Sequence, residues 1–255
     1  MPNESNKVAL ITGGSRGVGR ATALLLAARG YDFAINHRDS AEQANETIAK
    51  IETLGAKAIV VQGDTSDDIS CCAMVEKTLA QFGRLDVLVN NAATTEFIPH
   101  DQFDALTTEL WDRIFAVNVR GPFQCARAAR EALAASGNGQ IINIASIAGI
   151  NGNGSSIPYC ASKAALINMT QSLARTLAPN VRVNAIAPGF IDSQWTHAGL
   201  GDRYDALAAH HTEASALGKV ALPKDVAEAV VSLLDGSRLV TGQTLVVDAG
   251  ALLGR

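Results

Sequence analysis

The stretch LITGGSRGVGRA, residues 10–21, places four glycines within seven positions, directly after the apolar run Val8–Ile11 and directly before the helix-forming ATALLLAA. Glycine costs a helix interior about 1 kcal/mol relative to alanine, so four of them at a helix start need a cause. Where a strand turns straight into a helix, the first amide hydrogens are unpaired and the helix dipole is positive, and an anion is drawn to that point. Glycines at Gly13, Gly17 and Gly19 would let a pyrophosphate approach the backbone. A tight turn without a ligand would use the same residues, and the spacing TGxxxGxG is not the GxGxxG of many dehydrogenases, so the rest of the chain must decide.

Working outward, short β-type runs alternate with helix-length segments. KVALIT is followed by RATALLLAARG, DFAINHR by SAEQANETIAKIETLG, and KAIVVQGD by DDISCCAMVEKTLAQFG; LDVLVNNA, QIINIAS, VRVNAIAP and QTLVVDAG give four more strands. Apolar runs separated by helices predict a parallel sheet covered on both faces, an α/β doubly wound fold of about seven strands. Ligands in such folds bind beyond the carboxyl ends of the strands. The 255 residues, 47% apolar, suffice for one large core, and no repeat or low-complexity linker divides them, so a single domain over residues 1–255 is expected.

At those strand ends stand chemically distinctive groups. Asn90-Asn91-Ala92 follow the fourth strand and Ser146 the fifth, Tyr159-x-x-x-Lys163 lies beyond it, and Pro188-Gly189 close the sixth. With TGxxxGxG in the first turn, these motifs resemble the short-chain dehydrogenase/reductase family in order and spacing, over almost the whole chain to VTGQTLVVDAG. Ala93 departs from the glycine usual in that family after NNA. The resemblance implies a Rossmann fold and an oxidoreductase that moves a hydride between a nicotinamide cofactor and a carbonyl or alcohol.

Tyr159 and Lys163 are four apart in an alanine-rich segment that follows the helix-start signals Ser155, Ser156 and Pro158, so both side chains fall on one helix face. An ammonium beside a phenol favours the phenolate and lowers a pKa that is near about 10 in free tyrosine. By the resemblance, Tyr159 protonates the developing alkoxide and Lys163 also holds the nicotinamide ribose. Ser146, at the end of QIINIAS, would bond the substrate oxygen; taken alone it is a strand cap. Asn118 in FAVNVRG resembles the asparagine that disturbs a helix and holds a water in a proton relay to the lysine, whereas alone it is a polar helix residue bonding its own turn.

The choice of cofactor turns on charge. NAD binders commonly carry an acid at the end of the second strand, about 20 residues past the glycine turn, for the adenosine ribose hydroxyls. Here the strand ends Ile35-Asn36-His37-Arg38, with no carboxylate, and Arg16 lies inside the glycine loop. Two guanidinium groups converging on one point suit a 2′-phosphate, so NADP(H) is expected, with NAD(H) as the alternative because Asp39 can neutralise Arg38. Asp64 resembles the aspartate that bonds the adenine amino group, although a helix N-cap is the ordinary role of such a residue. The resemblance further assigns cofactor contacts to Ser15, Val18, His37, Thr65, Asn91 and Ala92, and to Pro188, Gly189, Ile191 and Ser193 at the nicotinamide end.

A net charge of -4 without a run of like charges points away from nucleic acid and anionic membranes, towards a small-molecule partner. With no signal-like N-terminus in MPNESNK and no spanning apolar run, a soluble cytoplasmic protein is expected. Four cysteines without CxxC spacing and five histidines without an i,i+4 pair predict neither disulfide nor metal site. Ser193–Leu217 should form a mobile cover over the active site, hinged at Gly199 and Gly201, with a helix from Asp202 through His211. The segment ALAASGNGQ carries no lysine or arginine for an acidic acyl carrier, leaving Arg175 as one candidate contact, so the expected substrate is a free small ketone, aldehyde or secondary alcohol. A β-ketoacyl-carrier-protein reductase and a non-catalytic dinucleotide-binding regulator are the alternatives. The resemblance also implies a homotetramer.

Overall fold

Seven strands, β1 (Lys7–Ile11), β2 (Tyr31–His37), β3 (Ala58–Gln62), β4 (Val87–Asn90), β5 (Gly139–Ile144), β6 (Val181–Pro188) and β7 (Thr244–Val247), pair in the order β3-β2-β1-β4-β5-β6-β7, every pair parallel. The structure is a computed structural model that describes residues 6–254; the leader reading of the N-terminus falls largely on Met1–Ser5, outside the described residues. The helices are α1 (Gly17–Ala27), α2 (Ala41–Thr53), α3 (Asp68–Phe82), α4 (Thr108–Phe115), α5 (Gly121–Ala135), α6 (Ala148–Asn151), α7 (Ile157–Leu177), α8 (Gln194–Leu200), α9 (Tyr204–Ala214) and α10 (Pro223–Asp235). Between α4 and α5 the chain stays helical through a π turn, Ala116–Arg120.

Strand alternation builds two cores from one run of residues. Ala9 and Ile11 of β1 pack with α1 and α10 on one face of the sheet, while Val8 and Leu10 pack with α3 and α5 on the other. Both faces of the central strands are buried, which is why those strands read as continuous apolar runs instead of alternating ones. Leu10, Leu88 and Ile141 are fully buried, and each such side chain contributes about 1.5–3 kcal/mol relative to exposure. Chain order runs outward from β1 through β2 to β3, then returns to β4 on the other side of β1. That reversal opens a crevice at the carboxyl ends of β1 and β4, the place where a doubly wound sheet accepts a ligand. Among the described residues no helix is long and apolar enough to cross a membrane.

Candidate active site

A cleft of about 950 Å³ runs along the carboxyl ends of the strands. At one end lies the turn from β1 into α1. The N-cap of α1, Arg16, makes no side-chain cap and no acid occupies the first turn, so the positive end of this helix is left without a protein anion. Gly17 has φ +54°, and a Cβ there would meet nothing within 4 Å. Gly19 is glycine for another reason. Its Cβ would lie 2.7 Å from Asn91 Nδ2 and 2.7 Å from the Gly13 carbonyl, so the turn itself could not close. Gly13 and Gly17 line the cleft, whereas Gly19 does not and has a packing role. Two asparagines hold the loop. Asn91 Nδ2 donates to the Thr12 and Gly13 carbonyls, both at 2.9 Å, and the Gly13 amide donates to Asn36 Oδ1 at 3.1 Å. An uncapped helix start with open space beside a glycine fits a pyrophosphate.

Beyond β2 the cleft is charged. Arg38 pairs with Asp39 and stands 4.0 Å from Asp64 Oδ2, while Arg16 is exposed on the same wall. Ser15 and Ser40 share a 2.7 Å hydrogen bond that ties the glycine loop to the start of α2. Asp64 is not a helix cap. Its Oδ1 accepts from the Ser66 amide at 2.8 Å and hydroxyl at 2.7 Å, whereas Asp67 caps α3 by accepting from the Ser70 amide at 2.9 Å.

Tyr159 and Lys163 project from the first turns of α7, whose register on the sheet is fixed by a buried polar ladder. Asn90 Nδ2 donates to Asn143 Oδ1 at 2.9 Å, and Asn143 Nδ2 donates to Thr170 Oγ1 at 2.9 Å. Ser156 sits at the N-cap of α7, but its buried hydroxyl makes no cap and has no partner. Lys163 is 2% exposed; its Nζ donates to the Ile144 carbonyl at 2.8 Å and stands 5.6 Å from the Tyr159 ring centroid. Burial pushes the Tyr159 phenol up to about 12 against the opposing hydrogen bond from Ser146. Burial pushes Lys163 down to about 8. The expected lowering of the phenol by the ammonium is therefore not found: lost hydration is the largest cause of the shift, and Lys163 Nζ is turned to the Ile144 carbonyl.

Asn118 lies in the π turn, fully buried behind the cleft. Its Nδ2 donates to the Thr94 carbonyl at 2.9 Å and to Ser162 Oγ at 3.0 Å, and its Oδ1 accepts from the Thr94 amide at 2.8 Å. The side chain thus staples the loop after β4 to α7, and its direct hydrogen bonds go to Thr94 and Ser162.

The segment after β6 forms α8, a 3-10 turn at Gly201–Arg203, and α9. The helix begins at Tyr204 and ends at Ala214, not at Asp202 and His211. Ser193 caps α8 in a capping box with Thr196. Gly199 lies inside α8 and has a packing reason to be glycine: a Cβ there would lie 2.0 Å from Phe97 Cε2, so the glycine lets the loop after β4 lean on α8. Asp192 accepts from Tyr204 Oη at 2.7 Å and lies 2.9 Å from His197 Nε2, while the His197 and Tyr204 rings stack with centroids 3.5 Å apart. Trp195 stands 6.0 Å from Phe97 and 6.4 Å from Tyr159.

Of the expected site residues, only Gly19 and Asn118 do not line the cleft. Arg175 lies in the last turn of α7, about 24 Å along the helix from Tyr159 at 1.5 Å per residue, and is not part of it. Sequence reasoning missed Asn36, Phe97 and Arg203, which line the cleft, and Asn143, which aligns α7. Phe97 and Arg203 meet across more than 100 positions, where local patterning carries no signal. Among the described residues no cluster of three potential ligands could hold a metal ion.

Comparison with known proteins agrees with this geometry. A family model described as Enoyl-(Acyl carrier protein) reductase matches residues 13–251. A chain of Streptomyces violaceoruber named as ketoacyl reductase 2 of the granaticin polyketide synthase is 42% identical over 246 residues, 96% of each chain. A 3-oxoacyl-[acyl-carrier-protein] reductase of Staphylococcus aureus is 37% identical over 96% of this chain and 97% of its own. A crystal structure named as a short-chain dehydrogenase/reductase from Burkholderia xenovorans superposes with a TM-score of 0.92 at 36% identity, over 99% of this chain and all of that one. The chain belongs to the short-chain dehydrogenase/reductase family. It is an oxidoreductase acting between CH–OH and C=O groups with a nicotinamide dinucleotide.

Proposed function

We propose that the chain is an NADP(H)-dependent reductase of a small free ketone or aldehyde, working in the cytoplasm, with residues 1–255 acting as one catalytic domain and residues 193–217 as its substrate cover. The observation that carries the chemistry is that Ser146, Tyr159 and Lys163 line one stretch of the cleft, Lys163 buried on the next turn of α7 with its Nζ 5.6 Å from the Tyr159 ring centroid. A bound nicotinamide dinucleotide supplies or accepts the hydride. The Ser146 hydroxyl donates to the substrate oxygen and orients it. Tyr159, held protonated by burial, donates its proton to the alkoxide that develops there. Lys163 remains cationic at neutral pH, and its charge stabilises the phenolate that forms. Asn118 holds the Thr94 loop and α7 in register around these groups.

NADP(H) is favoured by Arg16 and Arg38 on one wall. The Arg38–Asp39 pair is mostly exposed, at 60% and 72%, and such pairs are worth about 0–1 kcal/mol, so a 2′-phosphate carrying nearly two charges displaces it readily. Gly17, Val18 and the residues around them would hold the pyrophosphate, Asp64 and Thr65 the adenine, and Ile191 and Ser193 the carboxamide. A second reading, a carrier-bound β-ketoacyl substrate, is favoured by the names of the Streptomyces and Staphylococcus relatives.

The test is nicotinamide absorbance over a panel of ketones and alcohols with both cofactors. Wild type should prefer NADPH, and Arg38→Asp should reverse the order. Tyr159→Phe should lose at least about 10²-fold in turnover while still binding NADPH. Preference for NADH in wild type overturns the cofactor assignment, and near-normal turnover by Tyr159→Phe overturns the role of the phenol.

A further inference from the structure

The two halves of the cleft differ in chemistry. Acids that line it, Asp39, Glu42 and Asp64, all stand at the adenosine end beside Arg38. Beyond Tyr159 no acid lines the cleft among the described residues, and one cation does, Arg203. Its Nη2 donates to the Phe97 carbonyl at 3.4 Å, and no described carboxylate lies within ion-pair distance of it.

The same half is walled by rings. Trp195, 38% exposed, meets Phe97 at an interplanar angle of 61° and Tyr159 at 53°. Phe97 is preset: Gly199 backs it, the Ile98 amide donates to the Ser155 carbonyl at 2.8 Å, and Thr95 and Ser155 share a 2.7 Å hydroxyl bond. A large indole with an open flank, set beside the proton donor in a preformed wall, offers stacking area at little ordering cost.

We propose that the substrate is a planar ring ketone bearing a negative charge away from its carbonyl, the ring lying against Trp195 and Phe97 and the charge held by Arg203. The proposal rests on the reading of Tyr159 as the acid that meets the carbonyl. A free carboxylate and the phosphate of a thioester carrier arm share this anionic chemistry, and the test separates them.

Initial rates are measured with NADPH and with NADH for acetophenone, 4-acetylbenzoate, 2-octanone, 7-oxooctanoate and acetoacetyl-coenzyme A. We expect the highest kcat/KM for 4-acetylbenzoate. Arg203→Gln should lower its ratio to acetophenone by up to about fivefold, the upper size of one exposed ion pair. Trp195→Ala should lower acetophenone relative to 2-octanone about tenfold, Trp195→Phe should restore most of that preference, and Phe97→Leu provides a milder second probe of the wall. Equal use of acetophenone and 2-octanone, or equal losses on both in the Trp195 and Phe97 variants, overturns the ring assignment. If acetoacetyl-coenzyme A is used best and Arg203→Gln acts on it alone, the charge belongs to a carrier arm and the proposal is overturned. No turnover of any of the five, with Tyr159→Phe indistinguishable from wild type, removes the proposed function as well.

Discussion

At the residue scale the decisive pair is Tyr159 and Lys163, and burial sets both. A lysine held down to about 8 binds its proton less readily in the folded chain than in the unfolded one, where its pKa is near about 10.4. Between those values the unfolded state carries more protons, so stability rises with pH from about 8 upward and is flat in this respect below. Tyrosines raised to about 12 act oppositely, but only above about 10, where an unfolded phenol ionises. Denaturant titrations between pH 7 and 10 should therefore show a rise in wild type that Lys163→Met lacks, and parallel curves would refute the buried-lysine account. Reduction rates should fall above pH 8 as the same ammonium is lost. The residues were legible in the sequence because a phenol and an amine four apart on a helix share a face. Their titration was not, because it depends on hydration, which no spacing reports. That no acid stands at the end of β2 itself was equally legible, whereas the Arg38–Asp39–Asp64 cluster just beyond it needed the folded chain.

At the scale of elements, the strand-to-helix turn and the cover contrast. TGxxxGxG announced the first, and the structure divides its glycines between an open site at Gly17 and a packing requirement at Gly19. After β6 the chain forms α8 and α9, and Gly199 has a packing reason to be glycine that the sequence could not show, because a hinge and a close contact use the same residue and only the distant Phe97 reveals the contact. Gly199→Ala must displace the Phe97 ring, and overpacking of this kind costs about 1–3 kcal/mol. In hydrogen exchange, NADPH should raise protection over residues 193–217 and over the Gly13–Gly19 loop, since water must be kept from the hydride. Gly199→Ala should weaken that gain in the cover while sparing the loop. Equal exchange with and without saturating cofactor would mean that α8 and α9 are permanently packed, fastened by Asp192 to His197 and Tyr204.

At the scale of the whole molecule, the seven strands and the two helical layers were legible because a parallel sheet buries both faces and so writes each strand as an apolar run. QTLVVDAG reads like the others, yet Leu245 and Val246 of β7 are 39% and 37% exposed at the sheet edge, while β6 beside it is buried throughout. A second apolar area lies around Phe123 on α5, 46% exposed, in a surface groove that also includes Phe115, Val119 and Met169. An edge strand and a helical groove left uncovered invite association. We propose that each patch pairs with the same patch of a second copy, since two kinds of two-fold contact together close a tetramer with dihedral symmetry. Sedimentation at micromolar concentration should then give about four times the 26.6 kDa of one chain. Phe123→Glu and Leu245→Glu each place a charge in only one patch, so each alone should yield dimers and both together monomers. A wild-type mass of a single chain would refute the assembly, and dimers unaffected by either charge would show that neither patch is the contact.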